Sequence, residues 1–224
     1  MTRIAIVGAG HIGGNLTRLF RRAGYDVTVT FARDQHKLRI LAVDAGADAA
    51  EPADAVPAAD VVALSVPWGV IDTALSSLGG ADALAGKVVL DTTNQFGRID
   101  GHVGVLDVGD RSAAAVNAAK APDALWVKAF NTLTAGFQAS AAGRTGADRV
   151  AMFYATDHDG AAPLVETLIN DAGFDPVRTG TLARTDVGHQ EPKGDLYGEE
   201  FHHEDAVAAV ARLRGTRPSG TGRP

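Results

Sequence analysis

The sequence predicts an α/β protein built on a doubly wound, mainly parallel sheet. Three observations carry that prediction. Strand-like and helix-like segments alternate along nearly the whole chain. The run Asp60-Val-Val-Ala-Leu-Ser-Val66 is almost continuously apolar, as a parallel strand covered on both faces requires. The first thirty-odd residues read as strand, glycine turn, apolar-striped helix and second strand, the order of a βαβ unit.

Taken in order, the first strand is Arg3-Ile-Ala-Ile-Val7, followed by the turn Gly8-Ala-Gly10-His-Ile-Gly13. The helix beyond it carries Ile12, Leu16, Leu19, Phe20 and Ala23 on one face. Arg21 and Arg22 suit its last turn and Gly24 its stop. A second strand, Asp26-Val-Thr-Val-Thr-Phe31, leads to a helix over 35–45 with Asp34 as its N-cap. A short strand near 47–50 precedes the apolar run, which Pro67 stops. Next come a helix over 69–78 ending at Gly79-Gly80, a strand over 87–91, a long loop through Gly109 and a helix over 111–120. A strand over 125–130, a helix from Leu133, and strands at 149–155 and 174–178 around a helix near 160–172 complete the alternation. The expected organisation is a Rossmann-type domain over 1–180 and a short C-terminal extension over 181–214 that serves a pocket or a dimer contact. Residues 215–224, rich in Gly, Pro and Thr, read as a disordered tail.

Composition narrows the function classes. The chain has 224 residues, 46% of them hydrophobic and only 6% aromatic, enough for one closely packed core. A formal charge of −6 argues against nucleic acid or an anionic membrane as the main partner. The absence of cysteine excludes disulfides, thiol catalysis and thiolate-bound metal. With no leader-like segment and no run long enough to span a bilayer, the expected location is the cytoplasm.

The glycine turn gives the chemistry its first shape. Gly8 permits the tight bend, Gly10 lets backbone approach a pyrophosphate, and Gly13 lets the helix pack on the first strand. The phosphates would lie at the helix N-terminus, where free N–H groups and the dipole favour anions. An NAD site usually places Asp or Glu at the end of the second strand. Here Ala32-Arg33 stand there, and a guanidinium can grip a 2′-phosphate that a carboxylate would repel. Lys37 adds a second positive charge one turn on. The expected cofactor is therefore NADP, with Asp34 as the competing acid and a solvated Arg33 as the plainer alternative. His11, inside the turn, either touches the cofactor or faces solvent.

In a sheet of this kind ligands lie along the carboxyl ends of the strands. The later ends, Ser65-Val-Pro-Trp68, Asp91-Thr-Thr-Asn94 and Phe130-Asn-Thr132, offer small polar groups beside an aromatic and a proline. That suits a flat ring and its carboxamide, and transfer of hydride between two rings asks for proximity more than for a strong acid. Together with Lys128-Ala-Phe-Asn-Thr132, these motifs resemble the coenzyme F420-dependent NADP oxidoreductase family over about the first 180 residues. The resemblance implies a homodimer that passes hydride between nicotinamide and deazaflavin coenzyme F420. It implies that Gly8, Gly10, Ile12 and Gly13 bind pyrophosphate and that Arg33, next to Ala32, binds the 2′-phosphate. It implies further that Ser65, Val66 and Pro67 border the nicotinamide and that Asn94, Asn131 and Thr132 line the reaction crevice. Family members often have Ser-Arg where this chain has Ala32-Arg33, and residues 188–197 depart from the deazaflavin reductases.

That departure leaves the small-molecule hydride acceptor open: F420, or a flavin, imine or enone. A non-catalytic NADP sensor is the alternative from another class. Lys128 inside a strand reads first as an ion pair, His189 and Tyr197 as pocket or lid residues, and the Glu and His residues of 199–205 as a charged helix start rather than a metal site. No Tyr-x-x-x-Lys pair is present, and the chain lacks the length for the large helical domain of β-hydroxyacid dehydrogenases.

Overall fold

A computed structural model describes residues 1–215. Strands β1 (Arg3–Val7), β2 (Asp26–Thr30) and β3 (Asp48–Ala49) alternate with helices α1 (His11–Arg22), α2 (Gln35–Ala45) and α3 (Pro52–Ala58). Strand β4 (Val61–Leu64) is followed by a 3-10 turn and α4 (Ile71–Ser77), and β5 (Val88–Asp91) by the hairpin β6 (Phe96–Ile99) and β7 (His102–Val105). Then come α5 (Ala113–Ala118), β8 (Leu125–Ala129), α6 (Ala135–Ala141), β9 (Ala151–Thr156), α7 (Ala162–Asp171) and β10 (Asp175–Gly180). Two further helices, α8 (Arg184–Val187) and α9 (His203–Gly215), follow the last strand.

Eight strands form one sheet in the order β10-β9-β8-β5-β4-β1-β2-β3. Every neighbouring pair is parallel except β8 with β9. The doubly wound, mainly parallel sheet is therefore present, with one reversal near its edge. Alternate residues of the central strands feed a core on each face of the sheet, and β9 and β10 add a third cluster with α9. Ile4 and Ile6 pack with Leu16, Leu19 and Phe20 of α1 on one face. Ala5 and Val7 pack with Val56 of α3 and Ile71 and Leu75 of α4 on the other. Burial on both faces is why the strands read as apolar runs and not as alternating ones.

Register places the functional strand ends at one level. Val7 pairs with Thr30 and Leu64, Leu64 with Asp91, and Asp91 with Lys128. The backbone continues the ladder past the strands: Gly8 N donates to Thr30 O at 2.9 Å, and Ser65 N to Val7 O at 2.8 Å.

Several expectations are corrected. The long loop before Gly109 contains the hairpin, turned by Asp100 and Gly101 with φ of +50° and +84°. An Asp-Gly pair between short strands is a strong hairpin signal, because the turn needs two positive φ values. Helix α3 was not anticipated, and Ala23 is exposed beyond the buried stripe of α1. The strand near 47–50 shortens to two residues, and the helix over 69–78 opens as a 3-10 turn. Gly215 ends α9, so it is not part of a tail; residues 216–224 of the expected tail lie outside the described residues.

Candidate active site

The strand ends enclose a cleft of about 490 Å³, bounded by Gly8, Gly10, Ala32, Arg33, Lys37 and the 65–67 stretch. The glycines behave differently. A Cβ on Gly8, whose φ is +113°, would sit 2.2 Å from Ser65 O, and one on Gly13 would sit 1.9 Å from Gly8 O. Both positions are closed by the protein's own backbone. A Cβ on Gly10 would meet nothing within 4 Å, because that side faces the cleft. Gly10 is also the N-cap of α1, with no side-chain capping bond and no acid in the first turn. The helix start is thus an open, positively polarised cradle, the arrangement a pyrophosphate needs.

At the end of the second strand, Asp34 is engaged by its own helix and Arg33 is not. Asp34 Oδ1 accepts from His36 N at 3.0 Å and Lys37 N at 3.1 Å, capping α2. The Lys37 amide above all, helped by the His36 amide and the neighbouring side-chain charges, holds this carboxyl below its ordinary range against the opposing effect of desolvation. Arg33 is exposed and has no hydrogen bond or ion pair among the described residues. A second cavity of about 610 Å³ continues past it, lined by His11, Arg18, Arg33, Lys37 and Asp44. His11 is exposed at the start of α1, whereas Ile12 and Ala32 are partly buried against the core. Val66 is 7% exposed, Ser65 is intermediate, and Pro67 stands on the surface.

Beneath the β5 and β8 ends lies a buried polar network. Lys128 Nζ donates to Asp91 Oδ2 at 3.2 Å and also to Thr93 O, and both charged side chains are buried. Asp91 Oδ1 accepts from Thr93 N at 2.8 Å and Thr93 Oγ1 at 2.7 Å, while Asn117 Nδ2 donates to Asp91 Oδ2 at 3.0 Å. Lys128 is an ion-pair residue here, and the network fixes the turn that presents Asn94. Sequence reasoning did not find Asn117, whose partners lie on other elements.

The three crevice residues meet, but not in an open crevice. Asn94 Nδ2 donates to Asn131 O at 2.9 Å, and Asn131 Nδ2 donates to Asn94 Oδ1 at 3.1 Å. Asn131 and Thr132 are only 3% and 2% exposed. Residues 188–198 cover them: Asn131 Nδ2 also donates to Gln190 O at 2.8 Å, and Gly198 N donates to Thr132 O at 2.9 Å. Asn131 Oδ1 and Thr132 Oγ1 are buried without a hydrogen-bond partner among the described residues. Within the cover, His189 Nδ1 lies 2.8 Å from Asp195 Oδ2. The Tyr197 ring meets Phe96 edge-on at 6.4 Å, and burial pushes its phenol up. Glu204 and Asp205 form the acidic first turn of α9, and no group of three metal-ligating side chains occurs among the described residues.

Residues 3–95 match the model of the family described as NADP oxidoreductase, coenzyme F420-dependent. A hypothetical protein from Sinorhizobium meliloti is 30% identical, with a TM-score of 0.79 over 91% of this chain and 96% of that one. A protein from Arthrobacter sp., provisionally assigned as an F420-dependent NADP reductase, is 22% identical, with a TM-score of 0.74 over 96% and 94% of the two chains. The reductive aminase from Aspergillus terreus, solved in complex with NADPH and ethyl levulinate, is 22% identical, with a TM-score of 0.60. That match covers 85% of this chain and 58% of the aminase. The last two likenesses bear on the fold. No curated protein is significantly similar to the chain.

Proposed function

We propose that the chain, whose residues 3–95 match the coenzyme F420-dependent NADP oxidoreductase family, is an NADPH-dependent reductase of a small conjugated acceptor, with F420 the first candidate. The observation that carries the reading is the cleft over Gly10, open at the start of α1 and flanked by Arg33 and Lys37 while Asp34 is turned into its own helix. When bound, the nicotinamide supplies a hydride at its ring carbon C4. Gly8, Gly10, Ile12 and Gly13 form the cradle that receives the pyrophosphate at the N-terminus of α1, and Arg33, beside Ala32 and with Lys37, binds the 2′-phosphate. His11 flanks the phosphates. Ser65, Val66 and Pro67 form the wall against the nicotinamide, and the buried network under Asn94 keeps that wall and the crevice at a fixed separation. Asn94, Asn131 and Thr132 orient the acceptor once the cover formed by 188–198 admits it. We place the enzyme in the cytoplasm as a homodimer, with 1–180 as its nucleotide domain and 181–214 as its pocket or dimer element.

One observation favours a second reading. The cover over Asn131 and Thr132 is what a non-catalytic NADP sensor would have, its crevice shut over the nicotinamide. Purified protein mixed with NADPH and F420, then with FMN, FAD, or a cyclic imine, separates the readings by loss of nicotinamide absorbance. Turnover with F420 supports the family's reaction, and turnover with another acceptor supports the broader reductase. Tight NADPH binding without turnover by any of them supports the sensor. A monomeric mass in light scattering would remove the dimer.

A further inference from the structure

A third cavity, of about 430 Å³, opens one residue beyond Asn94. Gln95 lies in its wall, 6% exposed, with Oε1 buried and without a hydrogen-bond partner among the described residues. The lining also includes the turn at 191–194 from the segment that departs from the family pattern. Glu191 anchors that turn: its carboxylate accepts from Ala113 N at 3.0 Å and Ala114 N at 2.9 Å and is itself buried. The amides at the start of α5 are therefore already taken, and the acid's charge is turned away from the cavity.

The remaining charges are mainly positive. Arg184 lends one N–H to Gly109 O, and Asp107, the one exposed acid in the lining, accepts from Gly109 N. Arg111 and Lys193 are exposed at the cavity and have no hydrogen bond or ion pair among the described residues. Lys193 is held at φ +76°, in a turn closed by Gly194 N donating to Glu191 O at 2.8 Å. Glycine would adopt that backbone without strain, so the lysine side chain is carried there against the local conformational preference.

We infer that this cavity binds the acidic group of a small molecule, a carboxylate or phosphate held by Arg111 and Lys193, with an N–H or O–H of the same molecule donating to Gln95. The volume is that of a small-ligand site. Resting on the reductase reading, the inference names the substrate class: an anionic acceptor whose reducible part reaches past Gln95 toward Asn94.

The test uses inorganic phosphate as probe, with NADP+ saturating so that Arg33 and Lys37 are engaged. The side-chain amide of Gln95, followed by NMR, is expected to shift saturably. Arg111→Ala and Lys193→Gly should each weaken the response about tenfold, the value of one charge-assisted hydrogen bond. The glycine variant keeps the turn, so a loss there reports charge and not folding. No shift at Gln95, or wild-type affinity in both variants, would overturn the site. Absence of NADPH oxidation with every acceptor, while phosphate still binds, would remove the reductase reading and leave the anion site standing.

Discussion

Replacing Lys128 by Met tests the buried network most sharply. The substitution keeps an unbranched side chain one atom shorter and removes its charge. Two interactions are lost, the ion pair to Asp91 Oδ2 and the bond to Thr93 O. Asp91, 1% exposed, would then keep a buried charge served only by neutral donors: Thr93 N, Thr93 Oγ1 and Asn117 Nδ2. Breaking one side of a buried pair typically costs about 3–5 kcal/mol, and the surviving donors put this case near 3 kcal/mol. In a chain of this size that lowers the melting temperature by about 6–12 °C. Adding Asp91→Asn removes the orphaned charge, so the double variant should recover part of the loss. Urea unfolding of the wild type, both single variants and the double variant measures the coupling. A Lys128→Met protein within about 1 kcal/mol of wild type, well under the cost expected of an orphaned buried charge, would refute the argument. So would a double variant no more stable than Lys128→Met.

Three further outcomes follow from the same geometry. Gly10→Val should leave the unfolding midpoint unchanged and abolish NADPH binding, since the new side chain fills only the open side of the turn; retained binding in a calorimetric titration would contradict that. Gly13→Ala should instead lose about 1–3 kcal/mol or more in denaturant unfolding, because its Cβ would meet Gly8 O at 1.9 Å. Asp34 has a lowered folded pKa, so its capping contribution is present above the ordinary carboxylate range and lost as pH falls through the lowered value. The stability gap between wild type and Asp34→Ala should therefore shrink in acid, and a gap constant with pH would show that the charge plays no part.

Much of this fold could be read from local pattern, because the relevant signals are short-range. The glycine turn, the apolar strand over 60–66 and the Asp34 cap each lie within a few residues of what they organise. Helix α3 was hidden by Pro52 and by Pro57 inside it, since proline reads as a breaker although the first turn tolerates it. The hairpin was hidden because Phe96, Ile99 and Val103 are exposed, so no apolar stripe marked the strands; only Asp100-Gly101 did. At the candidate site, the position of Arg33 just beyond β2 was legible. The pairing of Lys128 with Asp91 was not, since the two are 37 residues apart and meet only when β5 and β8 align. The burial of Asn131 under Gln190 likewise depends on a contact across 59 residues.

The central claim, that this cleft binds NADP through a cation where an NAD site has an acid, is tested most directly by nucleotide affinities of wild type and Arg33→Ala. The wild type should prefer NADPH to NADH. The variant should lose about 1.5–3 kcal/mol toward NADPH, roughly tenfold to a hundredfold, with NADH almost unchanged. Equal losses for both nucleotides, or a wild type that prefers NADH, would contradict it.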